Sequence, residues 1–367
     1  MKIGKGSLFA SSLYFVGLFG MLLSSMMNAI FPFYTQYAFS SFMVVGVALD
    51  STKRCYSKKY IKWLLSFFPF FVISFIWAMA YTNALGIIIM SMVPMLLACV
   101  STMYYLCSGG SIKAILWIYL GAAFIMGAYV LSNVGEILIG ARIGSSLNED
   151  YDTPAWNANT IGETLCYALF AGWVLFMGKG KNKLLSLAYL ALAVGMLFII
   201  FLSGSRKVVF MLMLPILYFT IFGDNRHKIL WSIIAIAVLV GGYFLIMNVE
   251  MLYWAIGYRF EDLIEIVTGN SDGTEDTSRF DLAKYGLTWF QDRPIFGHGL
   301  NNFRVLSNKT SDFGGRNFYA HNNYVELLVD VGIIGFILFY WGYIYLFNQL
   351  VCLKKKYGIK IPLYLGE

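Results

Sequence analysis

The sequence predicts an all-α polytopic membrane protein with about ten transmembrane helices. It also predicts one long outer-face loop carrying short amphipathic helices. Three observations carry this. The 367 residues are 59% hydrophobic and only 13% charged, with a mean hydropathy of +0.68, whereas soluble domains average about a quarter charged residues. The apolar residues come in long continuous runs, each near the length that a bilayer asks of a helix. The Lys and Arg residues gather between alternate runs, as the positive-inside rule requires.

The runs lie near 7–27, 31–49, 62–80, 84–107, 114–134, 159–178, 184–203, 208–222, 229–248 and 322–350. Helices are the natural choice, because lipid cannot satisfy free backbone groups. A β-barrel would need alternating segments, and these runs are continuously apolar. The first run is a span and not a signal peptide, since it lacks a small-residue cleavage site and the next run follows at once. The run at 208–222 is short and contains Pro215. That at 322–350 is long enough to tilt or project.

With the N-terminus inside, the inner segments collect Lys53-Arg54, Lys58-Lys59, Lys62, Lys179, Lys181, Lys183, Arg226, Lys228 and Lys354-Lys355-Lys356. Three regions follow: 1–248 as a transmembrane bundle of about nine spans, 249–321 as a large extracytoplasmic loop, and 322–367 as the last span with a basic cytoplasmic tail. The net charge of +7 is then a topology signal. It does not argue for nucleic acid, because the cations are scattered over inner loops, where they meet anionic lipid. Cys55, Cys99, Cys107, Cys166 and Cys352 fall in no outer loop and form no CxxC spacing, so neither a disulfide framework nor a cysteine metal site is expected.

The inner loops are too short for a site of their own, so any chemistry belongs to the outer face or the bundle. The 249–321 loop is long by the standard of compact proteins. It has amphipathic stretches near 251–267 and 279–291, separated by the turn-rich run GNSDGTEDTS, and then PIFGHGLNNF. It reads as a small folded cap. Its balance is acidic, so an anion site there must come from particular arginines. A second outer loop, 135–158, carries Glu136, Glu149, Asp150 and Asp152 against Arg142. Paired carboxylates suit glycosidase-like work, but an acidic cluster on an exposed loop is more often solvation.

Three short features are candidates. Ser203-Gly204-Ser205-Arg206-Lys207 is a turn at the outer membrane edge. Its cations either snorkel, or hold an Arg where a lipid-linked phosphate would lie, since guanidinium fits phosphate oxygens bidentately. Arg279 opens the second amphipathic stretch, with Arg259 and Arg304 as alternates; for each, plain surface charge is the competing reading. His321 stands where the loop meets the last span, followed by Asn322 and Asn323. If either Asn begins the helix, His321 sits at its positive end, which disfavours imidazolium. A neutral imidazole there suits proton abstraction from a sugar hydroxyl; the competing reading is a hydrogen-bonded interface histidine. Glu326 and Asp330 are four apart on one helix face, able to pair with an outer Arg or orient His321.

From Thr277 to about Phe339 the chain resembles the bacterial O-antigen ligase and O-antigen polymerase superfamily of integral membrane glycosyltransferases. The order is an Arg-led amphipathic segment, PIFGHGLNNF, then HNNYVELLVDVGIIGFILF, and the SGSRK turn is a second match. The resemblance implies an undecaprenyl-diphosphate-linked glycan as donor and no cofactor or metal. Arg206 and Arg279 would bind diphosphate. His321 would act as general base or position the acceptor, with Arg259, Arg304, Asn322, Glu326 and Asp330 as possible support. It implies membrane lipid, a flippase and chain-length regulators as partners, and the outer face of the cytoplasmic membrane as location. Members often have more than ten spans, a departure here.

The expected function is a metal-independent glycosyltransferase that polymerises lipid-linked repeat units into O-antigen, capsular or exopolysaccharide. A ligase acting on a different acceptor is the alternative. A polysaccharide-lipid flippase or transporter is the rival of another class, but it predicts repeat symmetry and broken helices near mid-membrane. A peptidoglycan polymerase would rely on a loop aspartate, which the HNN arrangement does not resemble.

Overall fold

The computed structural model describes residues 5–28, 30–50, 55–133, 138–139, 142–143, 158–177, 182–205, 207–213, 225–250, 253, 257 and 275–357. These residues are helical apart from turns and one two-residue antiparallel pair, β1 (Leu138–Ile139) with β2 (Arg142–Ile143). Among the described residues, six helices are long and apolar enough to cross a membrane: Leu8–Met26, Lys58–Trp77, Tyr81–Cys107, Ile112–Ser132, Lys183–Ser203 and Asn323–Leu353. The chain is a multi-pass membrane protein. Most of the 208–222 run lies outside the described residues, as do the 251–267 stretch, apart from isolated positions, and the acidic residues of the 135–158 loop.

Two compact units divide the chain. One comprises 11–46 and 111–261, with the last residues from 354 on. It contains α1 (Lys5–Met26) and α2 (Tyr34–Leu49) for most of their length, then α6 (Ile112–Ser132), α7 (Ala158–Phe176), α8 (Lys183–Ser203) and α9 (Asn225–Asn248). Its core gathers Leu120, Met126, Ile161, Leu165, Met196 and Ile200. Helices α7 and α8 approach closely because small residues line the seam: a Cβ on Gly172 would meet the Tyr189 ring at 2.2 Å. The Tyr189 hydroxyl donates to the Leu169 carbonyl at 2.6 Å, which satisfies a polar group that lipid could not.

The other unit comprises 47–110 and 262–353, with the first ten residues. Helix α3 (Lys58–Ile73) is capped by Ser57, tightens into a 3₁₀ turn at Ser74–Trp77, and meets α4 (Tyr81–Ile87). A π-helical stretch, Ile88–Met92, joins α4 to α5 (Val93–Cys107). The wider turn sits just before Pro94, which has no N–H to offer the preceding turn. The later part holds α10 (Glu275–Asp292), α11 (Phe303–Lys309) and α12 (Asn323–Tyr357). The expected 279–291 stretch is thus a helix. Along α3, Phe67 and Phe71 pack on Phe339 of α12 with ring centroids 5.4 and 6.0 Å away. The Trp63 indole donates to the Phe339 carbonyl at 2.9 Å.

Candidate functional site

The site is built around a break in α12. At Gly332 the backbone takes φ 64°, ψ −173°, a region open to glycine alone. An unbroken helix would send the N–H groups of Ile333 and Ile334 to the carbonyls of Val329 and Asp330. Here they donate instead to Pro294 (2.9 Å) and Ile295 (3.4 Å). The two carbonyls left over accept from His298 (2.8 Å) and Gly299 (2.8 Å). The PIFGHG segment therefore threads into the break and exchanges backbone hydrogen bonds with both sides of it. These four backbone groups of α12 thus keep hydrogen-bond partners across the break, as buried backbone requires. The fit depends on missing side chains: a Cβ on Gly332 would lie 2.3 Å from the Ile295 oxygen, and one on Gly297 2.5 Å from the Asp330 oxygen.

Asp330 fixes the start of α11. Its carboxylate is 3% exposed and accepts three backbone N–H groups: Asn301 at 2.6 Å, Asn302 at 3.0 Å and Phe303 at 2.8 Å. These are the donors that open α11, so a side chain from α12 caps a neighbouring helix. The same loop is tied to the α3–α4 corner. Leu300 donates to the Ser74 hydroxyl (3.1 Å) and Ala80 to the Asn302 amide oxygen (2.7 Å).

His298 is buried inside this arrangement, 5% exposed. Its Nε2 lies 2.8 Å from the Trp289 carbonyl. A carbonyl only accepts, so Nε2 carries the proton and Nδ1 does not. Burial, the largest influence, pulls the imidazole below its ordinary range. This histidine is a neutral structural pin.

Helix α10 lies on the cap through Leu282 and Trp289, which join Phe303, Ala320, Val325 and Val329 in one apolar cluster. Gly286 makes room: a Cβ there would meet Val325 at 2.4 Å. Tyr285 hydrogen-bonds Asp312 beyond α11. The Ser307 hydroxyl accepts from the Phe318 N–H (2.9 Å) and approaches the Arg316 and Phe318 carbonyls (3.2 and 3.0 Å), so the return strand to α12 is pinned.

That return delivers His321 to the rim of the last span. His321 is exposed and takes φ 50°, uncommon for a residue with a Cβ. Its ring lies 3.9 Å from that of Tyr319, tilted by 33°. The Arg304 guanidinium stands 5.6 Å from the Tyr319 ring centroid, within cation–π range. Asn322 is the helix cap: its side-chain oxygen accepts from Tyr324 (3.0 Å) and Val325 (3.3 Å). His321 thus directly precedes the N-terminus of α12. Glu326, one turn in, accepts from the Ala320 N–H and lies in the field of Arg304.

The structure therefore brings together His321, Asn322, Arg304 and Glu326. Asp330 shares α12 with Glu326 but spends its carboxylate on the backbone that opens α11. Arg279 belongs to α10, in register with Leu282, Gly286 and Trp289, and its side chain lies outside the described residues. Arg206 and Arg259 also lie outside them. Beside Arg206, α8 ends on Gly204 in the left-handed conformation, and Lys207 pairs with Glu163 at 2.8 Å. One cation of the SGSRK turn is thus held by a carboxylate. Two features escaped sequence reasoning. Tyr319 is an aromatic two residues before a histidine, a weak signal. The Gly332 break had a better one, a glycine two residues after an acid inside an apolar run.

Comparison with known proteins adds to this geometry. Residues 191–340 match the O-antigen ligase family model. The match supports placing the chain with the O-antigen ligase and polymerase superfamily. The matched segment runs from within α8 to within α12, and so includes the Gly332 break, the docked loop and His321. A protein of Haemophilus influenzae, described as uncharacterized, is 29% identical over 86 residues, 21% of each chain. The similarity thus spans about a fifth of that relative's length.

Proposed function

We propose that this chain is a glycosyltransferase that polymerises undecaprenyl-diphosphate-linked oligosaccharide repeat units into O-antigen, capsular or exopolysaccharide. The reaction would take place at the outer face of the cytoplasmic membrane. The single observation that carries the reading is the cluster of His321, Tyr319, Arg304 and Glu326 at the rim of α12, inside a segment that matches the O-antigen ligase family.

In this reading the bond between the donor's reducing-end carbon and the diphosphate oxygen breaks. The diphosphate leaves with the electron pair. An acceptor hydroxyl oxygen forms the new glycosidic bond, and its proton passes to His321. Arg206 and Arg279 bind the diphosphate and stabilise the charge that builds on it. Arg304, over the Tyr319 ring, supplies a further cation, and Arg259 is a candidate for the same task. Neither metal nor cofactor enters the scheme. A flippase that delivers the donor and a chain-length regulator are the partners it calls for.

The ligase reading, transfer to a different acceptor, is favoured by the family's description. A deletion strain separates the two. Accumulated single repeats on the lipid carrier are the expected result. Full-length polymer still on the carrier would instead mean a ligase.

A further inference from the structure

A cavity of about 310 Å³ lies between the start of α3 and the later part of α12. Its position in the membrane follows from α3. From Lys58 to Trp77 the span has 20 residues, about 30 Å at 1.5 Å per residue, the thickness of a hydrocarbon core. The Trp77 end meets the docked loop, its indole donating to the Phe296 carbonyl at 3.2 Å. The cavity is therefore at the other membrane edge, away from His321.

Its chemistry is two-sided. Ser57, Lys59 and Trp63 face Trp341, Tyr343 and Tyr345 across it. Both indoles have spent their N–H groups, Trp63 on the Phe339 carbonyl and Trp341 on the Ser66 hydroxyl (3.2 Å). They offer the cavity apolar surface only. The Lys59 ammonium donates to the Tyr345 hydroxyl at 2.9 Å and lies 4.7 Å from that ring. An ammonium has three N–H groups, so two remain for an anion. Lys58 and Lys62 stand on the same turns of α3, and none of the residues lining the cavity is acidic. A cationic, hydroxyl-bearing mouth above aromatic walls fits a group that is anionic at one end and hydrocarbon at the other. A free phosphate would leave the walls unused.

We propose that this cavity binds one anionic phospholipid, with its phosphate at Lys59 and the hydroxyls of Ser57 and Tyr345, and its acyl chain against Trp63 and Trp341. Basic pockets between transmembrane helices take lipid headgroups in this way. The proposal does not depend on the reaction at the opposite edge.

The test uses the full chain, purified in detergent and titrated with phosphatidylglycerol or phosphatidylcholine. Bound lipid is counted by native mass spectrometry and stability followed by thermal unfolding. Wild type is expected to retain one phosphatidylglycerol and to gain more stability from it than from phosphatidylcholine. Lys59→Gln should weaken that retention roughly fivefold, the worth of one lysine at an anionic surface, and Lys59→Arg should restore it. Lys183→Gln, at the start of another helix, should change nothing. If Lys59→Gln unfolds, Tyr345→Phe decides, since it keeps the ring and removes one hydroxyl; weaker retention is expected. Equal retention of the two lipids, unchanged retention in both Lys59→Gln and Tyr345→Phe, or displacement by millimolar inorganic phosphate would overturn the proposal.

Discussion

Ile333 donates its backbone N–H to Pro294 at 2.9 Å rather than to Val329 four residues back. The last span is thereby made in two pieces, with a loop segment completing the hydrogen bonds of both. What would be a buried defect becomes the anchor of the cap. The loop docked there leads through α11 to His321.

Gly332→Ala tests the anchor. The new Cβ meets the Ile295 oxygen at 2.3 Å, and holding a residue with a Cβ in this glycine-only backbone region costs about 1–3 kcal/mol by itself. Hydrogen exchange should show faster exchange of the His298 and Gly299 amides in the variant. Wild-type protection at those amides would mean that the loop docks without the break.

Asp330→Asn removes the charge and leaves one acceptor oxygen where three N–H groups converge. A loss of about 1–3 kcal/mol is expected for stranding buried donors. The measurement is thermal unfolding in detergent, with proteolysis of the 293–303 segment as a local readout. Unchanged stability would assign the carboxylate to some other task.

His298 sets a pH dependence of definite sign. Burial holds the folded imidazole below its ordinary value of 6.5, so the unfolded chain binds the proton more readily. The neutral pin's contribution is full above that value and declines as pH falls below it. The melting temperature should drop through this range, and His298→Gln, which keeps a side-chain donor, should flatten the drop. An equally steep drop in the variant would place the titration elsewhere.

Tyr319 is expected to act through His321. Loss of an aromatic stack is worth about 0.5–1.5 kcal/mol, so Tyr319→Ala should lower turnover by up to about tenfold while leaving acceptor KM nearly unchanged. Tyr319→Phe keeps the ring and should retain wild-type turnover. A fall in Tyr319→Phe equal to that in Tyr319→Ala would point to the hydroxyl and away from ring packing.

Much of this architecture is legible in the sequence, for a physical reason. Hydrocarbon imposes one rule on every residue it touches, so apolar runs such as 114–134 and 184–203 return as α6 and α8. The cap was legible in part: a histidine before a helix-capping asparagine is a local pattern, and Asn322 does cap α12. Asp330 stood out as a carboxylate in a span, expected to pair with an outer Arg or orient His321, but its backbone partners on α11 were not legible. A carboxylate inside a span must find donors, but which donors is settled by the loop that arrives beside it, some thirty residues earlier in the chain. Lys207 was misleading for the same reason, since Glu163, its partner, lies on another helix.

In the proposed reaction His321 takes the proton of the attacking hydroxyl. The most direct test of this step is single-turnover transfer by the purified protein, with a lipid-diphosphate-linked repeat unit as both donor and acceptor. Wild type is compared with a folded His321→Ala variant. The account predicts a loss of about 10²–10⁴ in the transfer rate with donor binding retained. Transfer at the wild-type rate would contradict it.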